Sequence, residues 1–133
     1  MNSYLDSIGH GPSKVVICDY NGIPLTSPAH KKHWAVSLEE LQKVAVQMKN
    51  LVTDEATNFA QKGITLDGVK YQFLKEDKDD PKNVLAKKKD IGSLSIFATK
   101  TCVIIAFTAD GQQQGNTNTA MEKIAIYLIE NSV

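Results

Sequence analysis

Residues 92–109 read GSLSIFATKTCVIIAFTA. From Ser93 to Ala98, apolar and small polar residues partly alternate, and Lys100 and Thr101 then make a tight turn. Cys102 to Phe107 is almost wholly apolar and rich in β-branched residues, the pattern of a strand buried on both faces. A polar link follows at 110–119, DGQQQGNTNT, and then AMEKIAIYLIENSV at 120–133, which reads as one helix. Met121, Ile124, Ala125 and Leu128 recur as its apolar face. Thr119 and Glu122 have capping-box spacing, with Asn118 as the neighbouring alternative cap. Hairpin, link and covering helix form one unit against which the rest of the chain is placed.

Residues 2–8 suit a short helix, capped by Asn2 or Ser3, with Leu5 and Ile8 on one face. Lys14 to Cys18 is a strand, and Asp19-Tyr20-Asn21-Gly22 a hairpin turn in which Asn21 and Gly22 both tolerate positive φ. Ile23 to Thr26 is the expected returning strand, with Pro24 at an edge. Ser37 and Glu40 open a helix, with Val36 as a hydrophobic staple, and Leu38, Leu41, Ala45, Met48 and Val52 keep helical period. A shorter helix is expected over 54–61, closed by Gly63. The period then shortens to two: GITLDGVKYQFLKE holds a hairpin turning at Asp67-Gly68, with Val69, Tyr71 and Phe73 on the core face. DKDDPKN is a charged loop, and VLAKKKD a strand ending in three lysines. The sum is an α+β domain over 1–133, with a mostly antiparallel central sheet and no βαβ repeat.

A chain of 133 residues can bury one sizeable core. Basic and acidic side chains number 15 each, so net charge gives no support for a nucleic-acid partner. Cys18 and Cys102 lie in apolar runs without CxxC or Cys/His spacing and read as buried free thiols, with a disulfide as the alternative. The first residues lack the basic and apolar regions of a signal peptide, which points to a cytoplasmic protein.

Catalytic patterns are missing. His30 and His33 have HxxH spacing but no third ligand nearby, and they precede Trp34 in an exposed basic loop. Ser27 and Ser37 lack the G-x-S-x-G setting of an activated nucleophile, and Asp79 and Asp80 are solvated among lysines. Neither DYNG nor LDGVK is a phosphate-binding loop, and Gly111 to Gly115 brings no cation of its own to the helix start. No enzyme, cofactor or metal site is expected. Lys87-Lys88-Lys89 has two readings: a solvated sheet edge that discourages aggregation, or a contact for an acidic protein or phosphoinositide. Tyr4 and Tyr127 could line a groove between terminal helices, suited to proline-rich peptides.

Four stretches together resemble the profilin family: VVICDYNGIPLTS, GITLDGVKYQFL, IGSLSIFATKTCVIIAF and NTAMEKIAIYLIENSV. The resemblance covers most of the chain and is weakest from His30 to Gln61. It implies terminal helices packed together on one sheet face and further helices on the other. It also implies a non-enzymatic monomer that binds monomeric actin, covers its barbed-end face and so regulates polymerisation at the cytoskeleton. Proline-rich proteins and phosphoinositide lipids are further implied partners. Carried onto this chain, the actin face comprises Lys87, Lys89, Ser95, Phe97, Lys100, Asn118, Glu122 and Lys123, placed by position and expected exposure. The proline-peptide site comprises Tyr4, Ile8, Tyr127 and Asn131. The family's tryptophan after the first turn is replaced by Leu25, which has neither a broad ring nor an indole N–H, so a weakened or altered proline site is expected. The charged insert at 75–83 and the loop at 27–36 mark a divergent member, with Trp34 a candidate partner contact. The alternative is a small α+β sensory or scaffold domain binding a non-actin peptide or ligand on its sheet or between helices, which an internal cavity would distinguish.

Overall fold

Strands β5 (Gly92–Ala98) and β6 (Cys102–Ala109) form the middle of the sheet. The computed structural model describes residues 12–26, 33–79, 81–112 and 114–131. Every residue of β5 is buried, which corrects the expected partial alternation: Ser93 and Ser95 lie under a helix rather than in solvent. Around this pair stand β1 (Lys14–Asp19), β2 (Ile64–Leu66), β3 (Val69–Asp77) and β4 (Asn83–Lys88). The order is β1-β6-β5-β4-β3-β2, with every neighbouring pair antiparallel.

Two core layers follow from the period of two. One face carries Val16, Cys18, Val84, Ala86, Leu94, Ile96, Val103 and Ile105. It is covered by helix α1 (Leu38–Val52) through Leu41, Val44, Met48 and Leu51, and by the single turn α2 (Phe59–Lys62) through Phe59. The opposite face carries Val15, Ile17, Phe97, Cys102, Ile104 and Ala106, covered by helix α3 (Gln114–Glu130) through Met121, Ile124, Ala125 and Leu128. The expected N-terminal helix over 2–8 lies outside the described residues.

Several expectations change. The first turn is closed by Gly22 N–H to Asp19 O at 3.0 Å, and only Gly22, not Asn21, has positive φ. Asp19 Oδ1 also accepts from the N–H groups of Asn21 and Ile23. The return is a single bridge, Cys18 to Pro24, rather than a strand, because proline has no N–H to donate. The second helix is one turn, not the span 54–61, because Asp54 leaves α1 in the left-handed region. Trp34 is buried, 5.4 Å from the Phe107 ring, so it belongs to the core and is no partner contact. Helix α3 starts at Gln114, so Asn118 and Thr119 sit inside it and neither caps it. The early start brings buried Thr117 Oγ1 to Thr108 Oγ1 at 2.6 Å, which satisfies both hydroxyls.

Other readings hold. Ser37 caps α1 and accepts from Glu40 N–H at 3.3 Å. Asp67 and Gly68 both take positive φ, as a two-residue hairpin turn requires. Glu40 does more than its spacing indicated: its carboxylate accepts the N–H groups of Asp67 and Gly68 at 3.0 and 3.1 Å, fastening α1 to the β2–β3 turn. Burial raises the Glu40 pKa, but these bonds and those from Ser37 outweigh it and hold the carboxyl below the usual glutamate value.

Two predictions follow from packing and linkage. A Cβ at Gly92 would lie 2.4 Å from Thr108 O and 2.7 Å from the Phe107 ring, so Gly92→Ala is expected to cost about 1–3 kcal/mol in urea unfolding. Because folding lowers the Glu40 pKa, its stabilisation is complete above the unfolded value and fades as pH falls through the folded one. Glu40→Gln is therefore expected to cost on the order of 1 kcal/mol at neutral pH, with the gap from wild type closing in parallel melts as the pH falls below the usual glutamate range.

Candidate functional site: an open basic sheet face beside helix α3

Helix α3 rests on β5 and β6 and leaves the same face of β4 and β3 uncovered. Pairing fixes which side chains share it: Gln72, Lys87 and Ser93 lie in one row, and Lys75, Leu85 and Ser95 in the next. Lys70 continues the face beyond Gln72 by alternation. A β-bulge between Phe73 and Lys75 turns Leu74 outward, where it is 50% exposed. The result is a shallow surface of lysines around two leucines, bordered by α3.

Of the residues expected to contact actin, Lys87 and Lys89 are exposed at the end of β4, and Lys100 is exposed in the β5–β6 turn. Asn118 and Glu122 are one helical turn apart and share the α3 flank nearest β4. Lys123 is exposed on the outer side of that helix. Ser95 and Phe97 differ from expectation. They are 0% and 3% exposed, so they support the surface from beneath instead of forming it. Ser95 Oγ donates to Asn118 Oδ1, and Phe97 packs with the residues under α3. Asn118 thus anchors the helix to the sheet beside the open face.

The lysine cluster does not protect a sheet edge. Strand β4 is interior, and the edges are β1 and β2. Lys87, Lys88 and Lys89, with Lys70, instead line a pocket of about 440 Å³ walled by Phe59, Tyr71 and Phe73. Four lysines thus converge on one concavity, which gives it a strongly basic lining.

On the other flank of α3, Tyr127 is 53% exposed and Asn131 follows one turn later, its amide donating to Tyr127 O at 2.8 Å. Leu25 and Ile23 are exposed along the outer edge of β1, held by Leu25 N–H to Ile17 O. Tyr4 and Ile8, the remaining expected members of the proline-peptide site, lie outside the described residues.

Cys18 and Cys102 are free and point to opposite sheet faces, which excludes the disulfide alternative. Burial, with Asp19 and Cys102 adding, pushes the Cys18 thiol up to about 12, far from a reactive thiolate. His33 Nδ1 meets Thr26 Oγ1 at 3.2 Å; His10, His30, Ser27 and Asp80 lie outside the described residues. Among the described residues no cluster of three metal-binding side chains occurs.

Sequence reasoning missed Leu74, Lys75, Leu85 and Gln72 as members of this surface. Alternation marked Gln72 as wet, but a bulge has no local signature, and only the register brings Leu85 beside it.

The fold is an α+β sheet with a helix-free basic face beside α3, and comparison with known proteins says to which family it belongs. The family model for profilin matches residues 1–133. A profilin from the sea urchin Heliocidaris crassispina is 36% identical over 137 residues, covering 96% of this chain and 94% of the relative. Profilin IA of Acanthamoeba castellanii superposes with a TM-score of 0.80 at 22% identity, over 98% of each chain. Two complexes share the fold. LokiProfilin2 with rabbit actin has a TM-score of 0.69 at 16% identity, over 97% of this chain and 95% of that one. Mouse profilin IIa with a double repeat from the FH1 domain of mDia1 has a TM-score of 0.68 at 14% identity, over 99% and 98%. The chain belongs to the profilin family, whose members are non-enzymatic actin-binding proteins.

Asn118→Ala removes one hydrogen bond to a fully buried hydroxyl, so it is expected to cost about 1 kcal/mol in thermal or urea unfolding. Losses for Asn118→Ala and Ser95→Ala should be less than additive in the double variant, because the two groups share that bond. Fully additive losses would contradict the shared contact.

Proposed function

We propose that this profilin binds monomeric actin through the open face of β3–β4 and the adjoining flank of α3. The observation that carries the reading is a surface of exposed lysines around exposed Leu74 and half-buried Leu85, in a profilin, on a part of that sheet face that helix α3 leaves bare. Leu74 and Leu85 supply the apolar centre, and Lys87, Lys89, Lys100, Glu122 and Lys123 the charged surround, an arrangement of apolar core and polar rim usual in protein interfaces. The mechanism is steric. A domain seated on the barbed-end face of an actin subunit blocks the next contact made there, without bond chemistry. The actin complex of the similarly folded LokiProfilin2 supports actin as the partner class.

The pocket under Lys87, Lys88, Lys89 and Lys70 is the proposed contact for phosphoinositide headgroups, which would then compete with actin for the same lysines. Proline-rich segments are proposed to meet Tyr127 and Asn131, together with Tyr4 and Ile8. The FH1 complex of mouse profilin IIa supports that partner class. Leu25 in place of an aromatic leaves a weaker platform, so affinity there should fall below that of relatives with the ring. Cytoplasmic action beside the actin cytoskeleton follows from these partners.

Purified protein titrated into monomeric actin is expected to slow spontaneous assembly in proportion to its concentration. Lys100→Glu and Lys123→Glu change exposed side chains and should leave unfolding curves unchanged, while each weakens actin binding roughly tenfold. Wild-type affinity in both variants would refute the assignment of this face.

A further inference from the structure

A cleft of about 920 Å³ lies on the other side of the sheet, between α1 and β2. Both of its ends are tied. At one end Glu40 holds the N–H groups of Asp67 and Gly68; at the other Gln47 Oε1 accepts Asn58 N–H at 2.9 Å. Glu40 and Gln47 are seven residues apart on one helix, so the cleft is about 10 Å long. That length takes roughly three residues of extended chain.

One wall is an open sheet edge. Among the described residues, strand β2 pairs only with β3. The two-residue turn makes Leu66 and Val69 the pair that exchanges hydrogen bonds, so Thr65, the next position, turns its N–H and C=O outward. No described group takes either. Ile64 and Leu66 point into the core, so a strand added here would send its alternate side chains toward the α1 flank, where Val46 is 54% exposed. The central side chain would lie beside Thr65 on the opposite side, next to Lys70, its cross-strand neighbour, with Lys62 just before the strand. Neither lysine has an acidic partner among the described residues, whereas Lys43 on the far wall is paired with Glu39 at 3.3 Å.

We propose that this cleft is a second docking site, which takes an extended peptide as an added strand on β2, with an acidic residue opposite Thr65 and apolar residues on either side. Backbone pairing to Thr65 supplies the register, Val46 the apolar contact, and Lys62 and Lys70 the charge preference. The added strand would lie at the β2 edge, remote from α3, and Lys70 is the one residue it would share with the open face.

The test is an amide NMR titration of the whole protein with the capped peptide TVEVT and its counterpart TVKVT. TVEVT is expected to give saturable shifts at residues 63–66 and slowed solvent exchange of the Thr65 N–H, at an affinity of about 1 mM. TVKVT is expected to bind at least fivefold more weakly, and the double change Lys62→Glu with Lys70→Glu to reverse that order. Thr65→Pro removes the donor and should abolish the shifts; if it fails to fold, the charge-reversal pair carries the test alone. No saturable shift near Thr65, or equal binding of both peptides to wild type, would overturn the proposal.

Discussion

Burial of β5 and β6 on both faces is the constraint on which the rest depends. A strand with apolar side chains on both sides needs a cover on each, so one helical layer cannot suffice. Leu94, Ile96, Val103 and Ile105 call for α1 on one side, while Phe97, Cys102, Ile104 and Ala106 call for α3 on the other. Strand β1, from the start of the described chain, closes the sheet against β6 near its end, and so ties the two halves together. One helix of 17 residues over β5 and β6 cannot also cover β4 and β3. The bare strip is therefore a consequence of how the core is closed.

The boundary of that strip is set by polar contacts rather than by shape alone. Thr117 to Thr108 and Asn118 to Ser95 satisfy hydroxyls in a buried seam, where an unpaired group is costly. They fix the first turns of α3 over β5 and β6. On the other face Glu40 performs a comparable task, joining the helix cap to a hairpin turn through one carboxylate. Both devices use residues whose spacing alone looked like ordinary helix capping.

Much of the fold was legible in the sequence because its signals were local and repeated. The apolar run at 102–107, the Asp67-Gly68 turn and the Ser37 cap each carry their own physical instruction, and the structure follows them. Signals that depend on distant partners were not legible. Trp34 looked exposed beside lysines and histidines, yet it packs at a tilt against Phe107, more than seventy residues away. Ser95 was placed on the surface by its aligned position, but it is fully buried and its hydroxyl donates to Asn118. The start of α3 was misjudged because QGNT has weak helix propensity, which the buried threonine pair overrides. The surface itself was half legible. Its lysines could be carried over from the family resemblance, whereas the outward turn of Leu74 required the bulge to be seen.

Hydrogen exchange of this protein, alone and saturated with monomeric actin, tests the central claim most directly. Binding through the uncovered strip should slow exchange in 69–77, 83–89 and 114–123, and leave α1 and β2 at their unbound rates. Protection confined to α1 and β2, or none in β3 and β4 with actin bound, would contradict it.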